Sequence, residues 1–169
     1  MAYSVFISHC MSKEDGPIVE DFVSRLERRG FSPYLAERDP QPGRMLWSKI
    51  AERIHDCDFV IVFWTRGGSA SDYVNQEVGA ARTEGKPLVP LVERGVRVKG
   101  ALEGVERVEF DRDQPDAALA SLERYVAAQR DAREAREREA EYWRDVGTAA
   151  AIATVVVAVL VIALLAVRK

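Results

Sequence analysis

The chain has 169 residues and a formal net charge of −3 at pH 7, enough for one domain of ordinary size plus an appendage. The mild acidity, without any basic stripe interleaved with aromatics, excludes a nucleic-acid binder. Cys10 and Cys57 lack metal-ligand spacing, so no metal site is expected, and in a cytoplasmic domain both thiols stay reduced.

Strand and helix signals alternate over residues 1–128, which predicts an α/β fold around a parallel sheet. Tyr3 to Ile7 is a short apolar strand ending at Ser8-His9. A helix opens at Pro17 and runs to Arg29, with Ile18, Val19, Phe22, Val23 and Leu26 on one face and Gly30 as its stop. Phe31 to Ala36 reads as a second strand, and Pro33 inside it predicts an edge position or a ladder group that is not needed. The loop Glu37 to Arg44 is stiffened by Pro40 and Pro42, and a helix over residues 45–55 presents Leu46, Ile50 and Ile54 to the core. Phe59 to Trp64 is the strongest strand signal, a continuous apolar run expected at the sheet centre. Arg66 to Ala70 reads as a flexible loop, followed by a helix that ends near Gly85. Leu88 to Val92 is another buried strand, Val105 to Phe110 a last edge strand, and Leu119, Leu122 and Val126 the core face of a helix after Pro115.

The composition then changes. Residues 129–146 are rich in arginine, glutamate and alanine. They predict a charged helical linker supported by i,i+4 pairs such as Glu134–Arg138. Residues 147–167 carry no charge, and as a helix they would span roughly 31 Å, the thickness of a bilayer core. Arg168 and Lys169 follow as a short basic tail. With strand-like sequence directly after Met1-Ala2 and arginines clustered before the span, the expectation is a single-pass carboxyl-terminal membrane anchor with the amino-terminal domain cytoplasmic.

The candidate functional residue is Glu77. The run Ser71-Asp72-Tyr73-Val74-Asn75-Gln76-Glu77 leaves an apolar strand and opens a helix. Open parallel sheets bind ligands outside the carboxyl ends of their strands. A carboxylate there, with an aromatic ring four residues earlier, can touch a bound sugar. The competing reading is a surface glutamate favoured by the helix N-terminus.

Taken together, residues 3–128 resemble a Toll/interleukin-1 receptor (TIR) domain in four ordered boxes: YSVFISH, FSPYLAERDPQPGRMLWSKI, DFVIVFWT and SDYVNQEVGAA. KPLVPLVERGV is similar to the fourth strand of bacterial and archaeal TIR proteins. The resemblance implies a flavodoxin-like sheet of about five parallel strands and self-assembly through the so-called BB loop, here carrying Arg38, Asp39, Pro42 and Gly43. It also implies Glu77 as the catalytic residue of an NAD+ glycohydrolase, or of an ADP-ribose cyclase, acting in antiphage defence. Tyr73 stands where animal NAD-cleaving members often carry tryptophan, and Trp64 where a small hydroxyl residue is common, a change expected to alter pocket shape.

The chemistry suits a single carboxylate. Nicotinamide leaves as a neutral base, so no general acid is needed, and Glu77 need only bind ribose hydroxyls and stabilise the oxocarbenium-like charge. Tyr73 and Tyr34 offer ring faces to flat heterocycles, and Ser8 and His9 border the same crevice. Asp39 is expected to order its loop by accepting backbone donors. No dinucleotide-binding glycine fingerprint is present, so NAD+ would be a substrate and not a bound cofactor. The alternative is a non-enzymatic, membrane-tethered adaptor that recruits other TIR domains.

Overall fold

The computed structural model describes residues 3–167, and the side chains of all of these except 145 and 147–167. Five parallel strands form one sheet in the order β2-β1-β3-β4-β5: β1 (Tyr3–Ser8), β2 (Phe31–Tyr34), β3 (Phe59–Trp64), β4 (Leu88–Glu93) and β5 (Val108–Phe110). The helices are α1 (Gly16–Arg28), α2 (Leu46–Asp56), α3 (Arg66–Ala70), α4 (Asp72–Thr83) and α5 (Asp116–Val167). This is the flavodoxin-like order, with β1 and β3 at the point where the winding reverses.

The period-two alternation of strand side chains builds two cores. Val5, Ile7, Ile61, Phe63 and Leu91 pack on one face with α1 and the start of α5. Phe6, Val60, Val62, Trp64 and Val92 pack on the other with α2 and α4. All six residues of β3 are buried, as its unbroken apolar run requires in a central strand. Pro33 lies in β2, an edge strand paired only with β1, where a missing N–H costs no ladder bond.

The structure departs from the expected elements in four places. The last strand begins at Val108 and not at Val105. Arg66–Ala70 is a turn of helix and not a flexible loop. The Thr65 hydroxyl caps it by accepting from Gly68 N at 2.9 Å. Gly68 also lies so close to the Phe63 carbonyl that a Cβ there would come within 2.5 Å. The second strand stops at Tyr34, and a 3-10 turn over Ala36–Arg38 takes the loop away from the sheet. Leu46, expected in the core, is exposed, because it sits on the first turn of α2 beside a cavity.

Residues 3–126 and 127–167 fall in separate compact units. In the second, Arg133 Nε lies 2.8 Å from Glu137 and Arg138 lies 3.7 Å from Glu134, as the i,i+4 charge pattern predicts. The expected membrane-spanning segment, 147–167, lies outside the residues whose side chains are described. Among the described residues no helix is long and apolar enough to cross a membrane.

Candidate active site

Glu77 is positioned by its helix start. The Ser71 hydroxyl caps α4 by accepting from Val74 N at 3.3 Å, which fixes the rotation of the helix. Val74, Val78 and Ala81 then face the core, and Tyr73 and Glu77, four residues apart, share another face. Both line a cavity of about 730 Å³, within the usual range for small-molecule sites. Tyr73 is 62 % exposed at its rim, whereas Glu77 is only 7 % exposed. It is therefore not a surface glutamate.

Ser8, the last residue of β1, is fully buried and pairs with Val62 of β3. Its hydroxyl donates to Glu77 Oε2 at 2.6 Å. The carboxyl group thus sits at the switch point of the sheet, where this topology opens its binding crevice. Burial pushes the Glu77 pKa up to about 7, against the opposing effects of the Ser8 hydrogen bond and the His9 charge. Near neutral pH the group is poised between its two protonation states.

His9 also lines the cavity. Its Nε2 lies 2.9 Å from Glu37 Oε1, and its side chain is buried. Burial alone would lower the His9 pKa, but the Glu37 hydrogen bond and charge, together with the Ile7 backbone and Glu77, raise it overall. Burial likewise opposes ionisation of Glu37, but the bond to His9 and nearby charges hold its pKa below the usual carboxylate value. Adjacent residues at the end of β1 therefore engage two acids on different elements, Ser8 on α4 and His9 on the 3-10 turn.

The loop over residues 39–44 forms the opposite wall. Lys49 of α2, 4 % exposed, donates to the carbonyls of Ala36 at 2.9 Å and Asp39 at 2.6 Å. The Asp39 carboxylate accepts from the side chains of Tyr34 (3.1 Å), Gln41 (3.0 Å) and Arg53 (3.2 Å). It orders the loop through side-chain donors, where backbone donors were expected. Gly43 adopts φ +85°, a left-handed turn that a side chain would strain. Pro42 lines the cavity next to it. Arg38 turns away to pair with Glu20 and Glu27 of α1, the latter at 3.5 Å.

Of the residues singled out in the sequence, the structure brings Glu77, Tyr73 and His9 to one cavity, with Ser8 directly behind Glu77. Tyr34 is not among the described lining residues. Its ring packs between Phe6, 5.8 Å away, and the Arg53 guanidinium, 4.7 Å from its centroid. Trp64 is buried in the core, and its indole N–H donates to the Arg97 carbonyl at 3.1 Å. It too is absent from the described cavity wall, so the expected change of pocket shape is not made by direct contact.

Sequence reading missed Glu37, Arg44 and Lys49, all on the cavity wall. Lys49 left a signal: it interrupts the apolar stripe Leu46–Ile50–Ile54 of α2 at helical spacing, and a lysine on a core face needs partners there. A second group was not legible. Arg112 donates to Asp15 at 2.8 Å and to Glu93 at 2.9 Å, and Thr65 donates to Asp15 at 2.7 Å. This network ties the β1–α1 loop to the ends of β3 and β4.

Residues 5–126 match the family model described as TIR domain. The chain belongs to the TIR domain family. Among solved structures, it is similar to the TIR domain of a Toll-related receptor from Hydra magnipapillata. The identity is 20%, the match covers 75% of this chain and 99% of that one, and the TM-score is 0.62. It is also similar to a CMP N-glycosidase from Clostridium botulinum, at 22% identity over 72% of this chain and 98% of that one, TM-score 0.57. A metazoan TIR-STING receptor from C. gigas, in complex with 2',3'-cGAMP, matches at 24% identity over 70% of this chain and 39% of that one, TM-score 0.57. At these identities the likeness is one of fold. No match was found among curated proteins.

Proposed function

We propose that this TIR domain is an N-glycosidase that cleaves the nicotinamide–ribose bond of NAD+, with Glu77 as its catalytic residue. The observation that carries the reading is the buried Glu77 carboxyl group, hydrogen-bonded to Ser8 at the wall of a ligand-sized cavity. A buried acid with a raised pKa in a cleft is the usual mark of a functional site. As a carboxylate, Glu77 accepts hydrogen bonds from the ribose hydroxyls and offsets the positive charge that grows on the ribose as the bond to nicotinamide breaks. The departing pyridine nitrogen takes the bonding electron pair and leaves neutral, so no proton donor is required. Tyr73 supplies a ring face for the base at the rim. Capture of the ribosyl cation by water, with one proton passing to the Glu77 carboxylate or to solvent, gives ADP-ribose, and capture by an internal nucleophile gives a cyclised isomer.

The experiment is mass spectrometry of the products from wild type and Glu77→Gln, with NAD+ and CMP offered separately, since a fold relative is a CMP N-glycosidase. Nicotinamide from the wild type and none from the variant is expected. Turnover of CMP alone would move the reading to another N-riboside, and turnover retained in Glu77→Gln would remove Glu77 from the chemistry.

A second reading has its own support. Met45, Leu46 and Trp47, directly after the loop, are exposed, Met45 at 74 %. An apolar patch of this kind suits contact with another TIR domain. We propose self-assembly through this loop as the means of activation, and a non-enzymatic adaptor if the turnover assay is negative at high protein concentration. We further propose that segment 147–167 anchors the chain in a membrane with the TIR domain on the cytoplasmic side, where confinement would favour weak contacts. Retention in the membrane fraction after alkaline extraction, lost on truncation at Gly147, tests the anchor.

A further inference from the structure

Among the described residues the cavity wall carries three cationic or readily protonated side chains, and two are already committed. His9 is bound to Glu37, and Lys49 is buried with two loop carbonyls on its ammonium group. Arg44 differs. Its side chain is 40 % exposed, and its partners are Gln41 Oε1 at 3.0 Å and the Glu52 carboxylate, itself half exposed. Exposed pairs of this kind are weak and exchange readily. A guanidinium presents two parallel N–H groups that match the oxygens of a phosphate. Glu37 is already offset by His9, which leaves Glu77 as the acid of the same cavity that repels an anionic substrate unless a cation offsets it.

We propose that Arg44 is the specificity-determining residue of this cavity, selecting N-ribosides that carry a phosphate or diphosphate over the bare nucleoside, with Glu52 as its internal competitor. The inference rests on the N-glycosidase reading above and extends it to substrate class. NAD+ and nicotinamide riboside share the scissile bond and the leaving group, and only NAD+ carries the diphosphate. The two therefore separate recognition of the ADP half from chemistry, and nicotinamide mononucleotide, which carries a phosphate without adenosine and should lose with Arg44→Gln as NAD+ does, isolates the phosphate.

The test is kcat/KM for both substrates with wild type, Arg44→Gln, Arg44→Lys and Glu52→Gln. Losing a charge-assisted bond predicts an Arg44→Gln loss of about 10- to 100-fold on NAD+, with the riboside changed less than about twofold. Arg44→Lys should recover part of that loss. Glu52→Gln should raise kcat/KM for NAD+ and leave the riboside unchanged, a gain that a merely structural role for the Arg44–Glu52 pair would not produce. Equal losses on both substrates, or no loss with Arg44→Gln, would overturn the proposal. If the wild type cleaves neither substrate, the glycosidase reading fails, and calorimetric titration with ADP-ribose decides on Arg44. Binding weakened about tenfold by Arg44→Gln upholds it; unchanged binding, or none to the wild type, rejects it.

Discussion

The Ser8 hydroxyl donates to Glu77 Oε2 at 2.6 Å, joining the end of β1 to α4 through two side chains that are both buried. The bond favours the ionised carboxyl group, while burial favours the neutral one and prevails. Ser8→Ala removes the favourable partner and leaves the burial. A hydrogen bond to a charged group is worth about 1.5–3 kcal/mol, or about 1–2 pH units. The Glu77 midpoint should rise by about that much from about 7. Turnover at pH 7 should fall roughly tenfold and recover toward pH 9. A pH–rate profile decides this, and loss of activity by the same factor at every pH would contradict it.

Glu77→Gln should stabilise the fold while abolishing turnover. The Glu77 pKa rises from 4.5 to about 7 on folding, so its contribution to stability is fully present below 4.5 and is lost as pH rises through about 7. At pH 8 the native state carries a buried carboxylate at a cost of up to about 3 kcal/mol. Glutamine keeps an acceptor for Ser8 without the charge. The variant should therefore melt several degrees above wild type at pH 8, with the gap closing toward pH 4.5. Thermal unfolding at the two pH values is the measurement, and a gap independent of pH would mean that Glu77 ionises freely in the folded state.

The sheet was legible because its order follows from apolar runs and breakers that are local in sequence. Phe59 to Trp64 is buried along its whole length, and Pro33 sits on an edge strand. The site was legible only in part. Tyr73 and Glu77 fall on one helical face by spacing alone, whereas the partnership of Ser8 with Glu77 spans 69 positions and no local pattern records it. Tyr34 shows the converse failure. An aromatic beside a polar loop suggests a ligand contact, but its hydroxyl finds Asp39 and its ring finds Arg53. Arg66–Ala70 read as flexible because of two glycines, and one of them is required by close packing on the Phe63 carbonyl.

Lys49 fastens the loop from beneath. Lys49→Met has a similar length and suits the apolar neighbourhood of Ile50, but it takes the donor from the Asp39 carbonyl and leaves the Ala36 carbonyl only the Asp39 N–H at 3.4 Å. The part-buried Asp39 carbonyl, left without its donor, costs at most about 3 kcal/mol. The released segment should gain amide exchange and protease cleavage between Ala36 and Met45, with the sheet amides unaffected. The variant should also raise KM for the substrate more than it lowers kcat, because the loop forms a wall and does not carry the reacting group. Exchange rates in the loop identical to wild type would show that Asp39, with its three side-chain donors, orders it unaided.

The His9–Glu37 pair adds its own dependence on pH. The His9 pKa is raised above 6.5 and the Glu37 pKa is lowered below 4.5, so the pair stabilises the fold fully between about 4.5 and 6.5, and loses that contribution as pH rises through the raised His9 value or falls through the lowered Glu37 value. The imidazolium also favours ionisation of Glu77, whereas the Glu37 charge opposes it to a smaller extent. His9→Gln should therefore raise the Glu77 midpoint. Glu37→Gln should raise it less, because it frees His9 to become neutral while also removing an opposing charge. In the double variant His9 is already gone, so the midpoint should match that of Glu37→Gln. Carbon-detected NMR titration of the Glu77 carboxyl group reads all three directly and does not require turnover. A midpoint left unchanged in His9→Gln would mean that His9 stands neutral beside Glu77, its bond to Glu37 made as a donor without a full positive charge.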